Sequence, residues 1–402
     1  LSEAAVHHMG DRPWVKLLQE GLTPESRVRD IVDRILASQT AFCLQGPPGT
    51  GKTTIIAEVV AQTLEREPRA RILVCAQAND AVANAIERIL KVRDKLAREW
   101  IVVRDVRDER AREEGPWAGY GAAYREFVAR VQHGVAAGAD SKPTRDVLAE
   151  WVECVEHGSR QVRRDYHGLV QVWVTTTARS TRPLENLAGE SYDLVIVDEA
   201  AKATVGEVLV PVVRARRLLL VGDHKQLPPF LEDTTVQALQ ELGVSDEQAK
   251  YSLFEHLFAL VPSSHRDMLD VQFRMHPTIG DVVSRLFYDG KVRNGPGTDR
   301  RLLPPGEFDR PHRVLWIDVR GKDYTVGRTS RANDAEQQVI LRLLGKLEAD
   351  ARRAGVHLEV AIIAAYRGQA DRLQAEVLAG ERAWPSLRVK AATVDAFQGR
   401  EA

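Results

Sequence analysis

The stretch GPPGTGKTT, residues 46–54, has the residue types that a chain of phosphates needs. Gly46, Gly49 and Gly51 let the backbone curl until several N–H groups point at one anion. Pro47, Pro48, Thr50 and Thr54 fill out the loop. Lys52 carries an ammonium to the outer phosphates, and the Thr53 hydroxyl is a ligand for Mg2+. Further along, YDLVIVDEA ends an apolar run in Asp198 and Glu199. Asp198 is then placed for the metal held by Thr53, and Glu199 is placed to orient or deprotonate an attacking water. Such a pair often only caps a helix; downstream of a complete phosphate loop it reads as hydrolytic. LLLVGDHKQLPP adds Asp223 and Gln226. A glutamine there can hold water near the γ-phosphate, or the segment is a polar turn fixed by Pro228 and Pro229.

These groups need a scaffold that delivers them to one edge. AFCLQG, RILVCAQ, VQVWVTTT, YDLVIVDE and RRLLLVGD are short apolar runs that each end in polar or glycine residues. Helical patterns such as TTIIAEVVAQTLERE and NDAVANAIERILKVRDKLA lie between them. Continuous aliphatic runs alternating with helices predict an α/β fold with a parallel sheet covered on both faces. Ligands of such sheets bind beyond the carboxyl ends of the strands, where all the motifs above fall.

A second alternating set follows: RVLWIDVRG, ANDAEQQVILRLLGKLEADARRAG, EVAIIAAY, GQADRLQAEVLAG and RVKAATVDAF. The expected organisation is an N-terminal segment over 1–21, a first lobe over 22–92 and 168–262, and a second lobe over 263–402. Residues 93–167, rich in Arg, Glu and Asp, are expected as a mostly helical insertion in the first lobe. Their charges read as a solvated face, with nucleic-acid contact as the alternative.

Composition excludes several classes. With 56 Lys and Arg against 57 Asp and Glu, the net charge is −1, so no global basic field marks a nucleic-acid protein. Three cysteines without a CxxC pair argue against a disulfide framework or zinc module and fit a reducing cytoplasm. No apolar run approaches membrane-spanning length.

GPPGTGKTT, VDEAAKAT, GDHKQLPP, QFRMHP and VDAFQGRE stand in the order typical of superfamily 1B helicases of the up-frameshift-like group, which the chain resembles over residues 22–92 and 168–402. The resemblance implies two RecA-like lobes with ATP and Mg2+ between them, and a monomer moving 5′→3′ along single-stranded DNA or RNA. Arg274 would then be an arginine finger supplied from the second lobe, and Phe273 would stack on the adenine. The resemblance places Glu401 at the nucleotide and Gln398 and Gly399 near the nucleic-acid path. It makes Gln77 and Asn79 in VCAQANDAV, and Thr175 and Thr176 in VTTTARS, contacts for a strand's backbone. Thr and Asn are equally at home in turns and caps. AIIAAYRGQADRL, with Tyr366 and Gln369, resembles a further second-lobe motif.

Departures accompany the match. Ser26 stands where the family has the glutamine that reads adenine, and Lys202 where a polar uncharged residue is frequent. The family's small β-barrel is not visible, and its last motif, with a second arginine, would lie beyond Glu401. Bound nucleotide with weak hydrolysis is therefore expected of this stretch of chain. Two other readings stay open: an oligomeric AAA-type remodeller, and an ATP-gated nucleic-acid clamp without motor activity.

Overall fold

The computed structural model describes residues 27–105, 124, 127–129, 166, 168–180, 191–229, 231, 233–245, 251–300, 304–306, 308, 313–380 and 383–397. Ser26, Gln398, Gly399, Glu401 and most of the expected insertion lie outside them. The chain divides into two compact units, Leu1–Leu269 and Asp270–Ala402.

The first unit is built on seven strands: β1 (Ala41–Gln45), β2 (Ile72–Ala76), β3 (Val102–Arg104), β4 (Val172–Thr176), β5 (Tyr192–Asp198), β6 (Ala215–Gly222) and β7 (Arg266–Met268). Every pairing is parallel, and the order across the sheet is β3-β4-β2-β5-β6-β1-β7. Successive strand residues face opposite sides, so a continuous apolar strand feeds two cores at once. Phe42 and Leu44, Ile72 and Val74, and Leu194 and Ile196 enter one core. Cys43, Leu73 and Cys75, and Val195 and Val197 enter the other.

Helices α1 (Arg27–Ala37), α2 (Lys52–Arg66) and α3 (Asn79–Lys95) cover the first of these cores. α2 stops at Glu67, the residue before Pro68, where the proline ring disfavours helical backbone. α4 (Val205–Val212) and α6 (Leu253–Leu260) serve the opposite face, with Val208 and Phe254 buried there; α5 (Asp233–Glu241) lies between them in sequence.

Two boundaries differ from the sequence reading. β3 lies inside 93–167 yet pairs with β4, so this part of the expected helical insertion is sheet. The segment 263–269, expected to open the second lobe, belongs to the first unit because β7 pairs with β1. α1 pins it there: Arg27 and Arg34 both bind the Asp267 carboxylate, at 2.7 and 2.6 Å.

In the second unit, β8 (Val271–Gln272) and β9 (Arg293–Asn294) form a short parallel pair around α7 (Pro277–Phe287). β10 (Tyr324–Val326) and β11 (Ser330–Ala332) form a hairpin. Asn333 then caps α8 (Asp334–Ala354), accepting from the N–H groups of Ala335 and Glu336. β12 (Leu358–Ala364), α9 (Arg367–Ala379) and β13 (Leu387–Thr393) make a parallel β-α-β unit, followed by α10 (Val394–Phe397). Leu344, Ile362, Leu373, Val377 and Ala391 form its core.

RVLWIDVRG does not form the expected strand. Residues 314–320 have no sheet partner among the described residues, and Trp316 is 91% exposed. A strand exists only with a ladder partner, and the partner of β12 is β13.

Candidate nucleotide-binding site

Register sets the site. In the parallel ladders Gln45 stands opposite Gly222, and Ala76 stands opposite both Thr176 and Asp198. The carboxyl ends of β1, β2, β4, β5 and β6 are therefore level, and everything that follows them emerges at one edge.

The loop after β1 starts with a Gly46 N–H donated to the Gly222 carbonyl at 2.9 Å. A Cβ on Gly46 would collide with the Lys52 side chain, which folds back so that Nζ donates to the Gly46 carbonyl at 2.9 Å. Gly49 and Gly51 have φ of 72° and 85°, values that glycine reaches without steric cost. The Thr50 hydroxyl ties the turn by donating to the Pro47 carbonyl at 2.7 Å. Gly51 precedes α2 and has no side chain to cap its first N–H groups, which leaves a helix N-terminus suited to an anion. Thr53 is half-buried in that first turn.

β6 lies between β1 and β5, so Asp198 and Glu199 are two strands from the loop, about 10 Å at ordinary strand spacing. The Lys52 side chain spans this gap, with Nζ 3.6 Å from Glu199 Oε1. Asp198 is 3% exposed and accepts the Glu199 N–H at 2.9 Å. Burial, and then the charge of Glu199, push its carboxyl up to about 7, while Lys52 pulls it back down. Glu199 has φ 53°, left-handed backbone that costs a non-glycine residue on the order of 1–3 kcal/mol. The close approach of neighbouring backbone holds it: Ala200 N–H donates to the Val221 carbonyl, and Gly222 packs so tightly on Ala201 that a Cβ would not fit.

Asp223, just after β6, organises the edge between loop and carboxylates. It is buried, and it accepts the Gln45 side chain at 3.0 Å, Gln226 Nε2 at 2.7 Å and the Lys225 N–H at 3.2 Å. Gln45 reads in the sequence as the last residue of a strand; its part in aiming Gln226 has no sequence signal.

In the second unit QFRMHP forms a tight turn around one buried glutamine. Gln272 Oε1 accepts the N–H groups of Arg274 and Met275 at 2.9 and 2.7 Å, and its Nε2 donates to the Met275 carbonyl at 2.8 Å. Phe273 is 48% exposed, its ring backed by Gly295 so closely that no Cβ fits there. His276 caps α7 by accepting the Thr278 N–H, and Pro277 takes the first helical position.

Two family models, each described as an AAA domain, match the chain, one over residues 25–114 and 136–233 and the other over residues 249–402. The ATP-dependent helicase NAM7 of Saccharomyces cerevisiae is 30% identical over 371 residues, which are 89% of this chain and 35% of that protein. The chain belongs to the up-frameshift-like group of superfamily 1 helicases. The DNA-binding protein SMUBP-2 of Rattus norvegicus is 29% identical over 93% of the chain and 38% of its own length. Regulator of nonsense transcripts 1 of Caenorhabditis elegans is 28% identical over 89% of the chain and 32% of its own. The chain thus spans about a third of the length of these curated relatives.

Gln77 is half-buried and donates to the Glu207 carboxylate at 3.4 Å, while Asn79 is exposed at the start of α3. Glu207 is itself committed to the cap of α4, where it exchanges bonds with Thr204. Thr176 is half-buried at the end of β4. Thr175 is fully buried: the pleat turns it inward, and its hydroxyl donates to Asp105 at 3.2 Å. The same carboxylate takes a two-pronged bond from Arg179, at 3.3 and 3.0 Å, a partner that sequence spacing does not reveal. Gln369 is likewise interior, clamping the Asn333 backbone by accepting its N–H at 2.9 Å and donating to its carbonyl at 3.2 Å. Tyr366 beside it is 45% exposed.

Proposed function

We propose that the chain is the motor core of an ATP-dependent helicase or translocase that moves 5′→3′ along single-stranded nucleic acid as a monomer. The observation that carries the reading is the phosphate loop with Lys52 bonded back to Gly46 and drawn toward Glu199. That arrangement supports a lysine serving the outer phosphates of ATP.

Loop N–H groups and the first turn of α2 hold the phosphate chain, and Lys52 carries the charge of its outer end. Glu199 takes the water proton, its oxygens fixed by a strained backbone and by the Lys52 contact. Gln226, aimed by Asp223, orients that water. By resemblance Arg274 acts as an arginine finger; such a group is worth on the order of 10³–10⁵ in rate. Phe273 offers an open ring face for stacking on the base.

Mg2+ fits the donors at hand. Asp198 is a buried carboxyl without a full counter-charge, the environment that a hard cation relieves, and Thr53 supplies a neutral oxygen in the turn that the motif gives to the metal. Held by Asp198 and Thr53, Mg2+ would supply positive charge against that of the phosphates.

The strand is assigned to the same sheet edge, at Gln77, Asn79 and Thr176, with Gln398 and Gly399 by resemblance. Backbone contacts of this kind give affinity without sequence preference. Cys43 and Cys75 are buried free thiols, which fits a reducing, cytoplasmic setting. No helix among the described residues is long and apolar enough to cross a membrane.

The deciding measurement is ATP hydrolysis with single-stranded DNA, single-stranded RNA or neither, beside a Lys52→Ala control. Stimulation by a strand and its loss in the control are expected. Hydrolysis indifferent to both nucleic acids, or undiminished in Lys52→Ala, overturns the reading.

A further inference from the structure

Several cations on and just beyond α2 and α3 are held in ion pairs. Arg66 pairs with Asp33 at 3.3 Å, Lys91 with Glu87 at 2.6 Å, and Arg98 with Glu65 at 2.7 Å. Arg88, in the middle of α3, is half-buried and has no ion pair among the described residues. Its Nη2 donates instead to the neutral hydroxyl of Thr54, at 2.8 Å.

That hydroxyl stands on the first turn of α2, directly after Lys52 and Thr53, at a helix N-terminus that no side chain caps. The carboxylate that Arg88 interacts with, Glu87, is exposed and bonded to Lys91, so an anion would stabilise the partly withdrawn guanidinium further. Arg is also the side chain whose planar, permanently charged donors best match phosphate oxygens. The contact is not needed to hold the helices together. Ile55, Ile56, Val59 and Val60 of α2 already share one core with Val82, Ala85, Ile86 and Ile89 of α3.

We propose that Arg88 is a positioning residue for the nucleotide: it orients Thr54 and sets a positive charge, supplied from α3, beside the phosphate-binding turn. The proposal rests on the loop binding a nucleoside di- or triphosphate, as argued above. It adds a cation that lies outside every motif of the site and comes from a different helix. Because α3 begins at Asn79, any displacement of that helix alters the hold of the loop on its phosphates.

The test is titration of the full chain with a fluorescent ADP analogue at low and high salt, in the wild type, Arg88→Ala, Arg88→Lys, Thr54→Val and the Arg88→Ala/Thr54→Val double variant. Thermal melts of each monitor folding. Arg88→Ala should weaken ADP about tenfold, the size expected for one charge-assisted hydrogen bond. Arg88→Lys should recover part of the loss, and the double variant should fall short of the product of the single effects. The salt dependence of ADP binding should become shallower without Arg88, which a packing role would not produce. Affinity within twofold of wild type, an additive cycle, or an unchanged salt slope overturns the role of Arg88. Absence of ADP binding by the wild type instead sinks the phosphate-loop reading itself.

Discussion

Replacing Glu199 by Gln probes the hydrolytic step with little change of shape. Both side chains have the same length, and both must accept the left-handed backbone at φ 53°, so the strain there is common to the two. Three things change together. The proton acceptor disappears, Lys52 loses the partner 3.6 Å away, and the charge that helps raise Asp198 is removed. Loss of a positioned general base costs about 10²–10⁴ in rate, or about 3–5 kcal/mol at 1.36 kcal/mol per tenfold. The other two changes act on binding and favour it. Lys52 is released to the phosphates, and Asp198 ionises more readily, which suits a cation. Single-turnover hydrolysis should therefore fall by two to four orders of magnitude (the general-base range above), while equilibrium titration shows ATP affinity equal to or above wild type. A variant that hydrolyses within tenfold of wild type, or that loses ATP binding in parallel, would refute the assignment of Glu199 as base.

Glu58 gives a pH prediction away from the site. It is 1% exposed on α2, bonded to Gln62 at 2.8 Å, and burial pushes its carboxyl from 4.5 up to about 7. The folded chain then binds a proton that the unfolded chain has released, so Glu58 erodes stability as pH rises from 4.5 to about 7, by about 3 kcal/mol in all. Glu58→Gln should flatten that slope in denaturation midpoints taken across this range, and an unaltered pH dependence would disprove it. Thr175→Val removes the bond to Asp105 but no strand contact, so it should lower stability by about 1 kcal/mol and leave single-strand affinity within twofold. Asp223→Ala unseats Gln226 and should lower strand-stimulated hydrolysis about tenfold with little change in ATP affinity, read as a change in kcat rather than KM.

The sequence by itself determined what is local. Glycines at fixed offsets, a lysine at the head of a helix and an Asp-Glu pair closing an apolar run specify their own backbone and chemistry. The alternation of buried strands with helices likewise specifies a parallel sheet. The tertiary structure decided what depends on partners distant in the chain. β6 separates β1 from β5, so Lys52 must span two strands to approach Glu199. Gln45 and Asp223 meet across 178 residues, and Arg88 reaches Thr54 from another helix across 34. Thr175 turned inward because the pleat assigns alternate residues to opposite faces, a parity fixed by sheet register. RVLWIDVRG shows the converse: β-forming residues alone do not make a strand where no described segment serves as ladder partner. Periodicity is written in neighbouring residues, whereas pairing and the meeting of buried polar groups are set by the whole chain closing on itself.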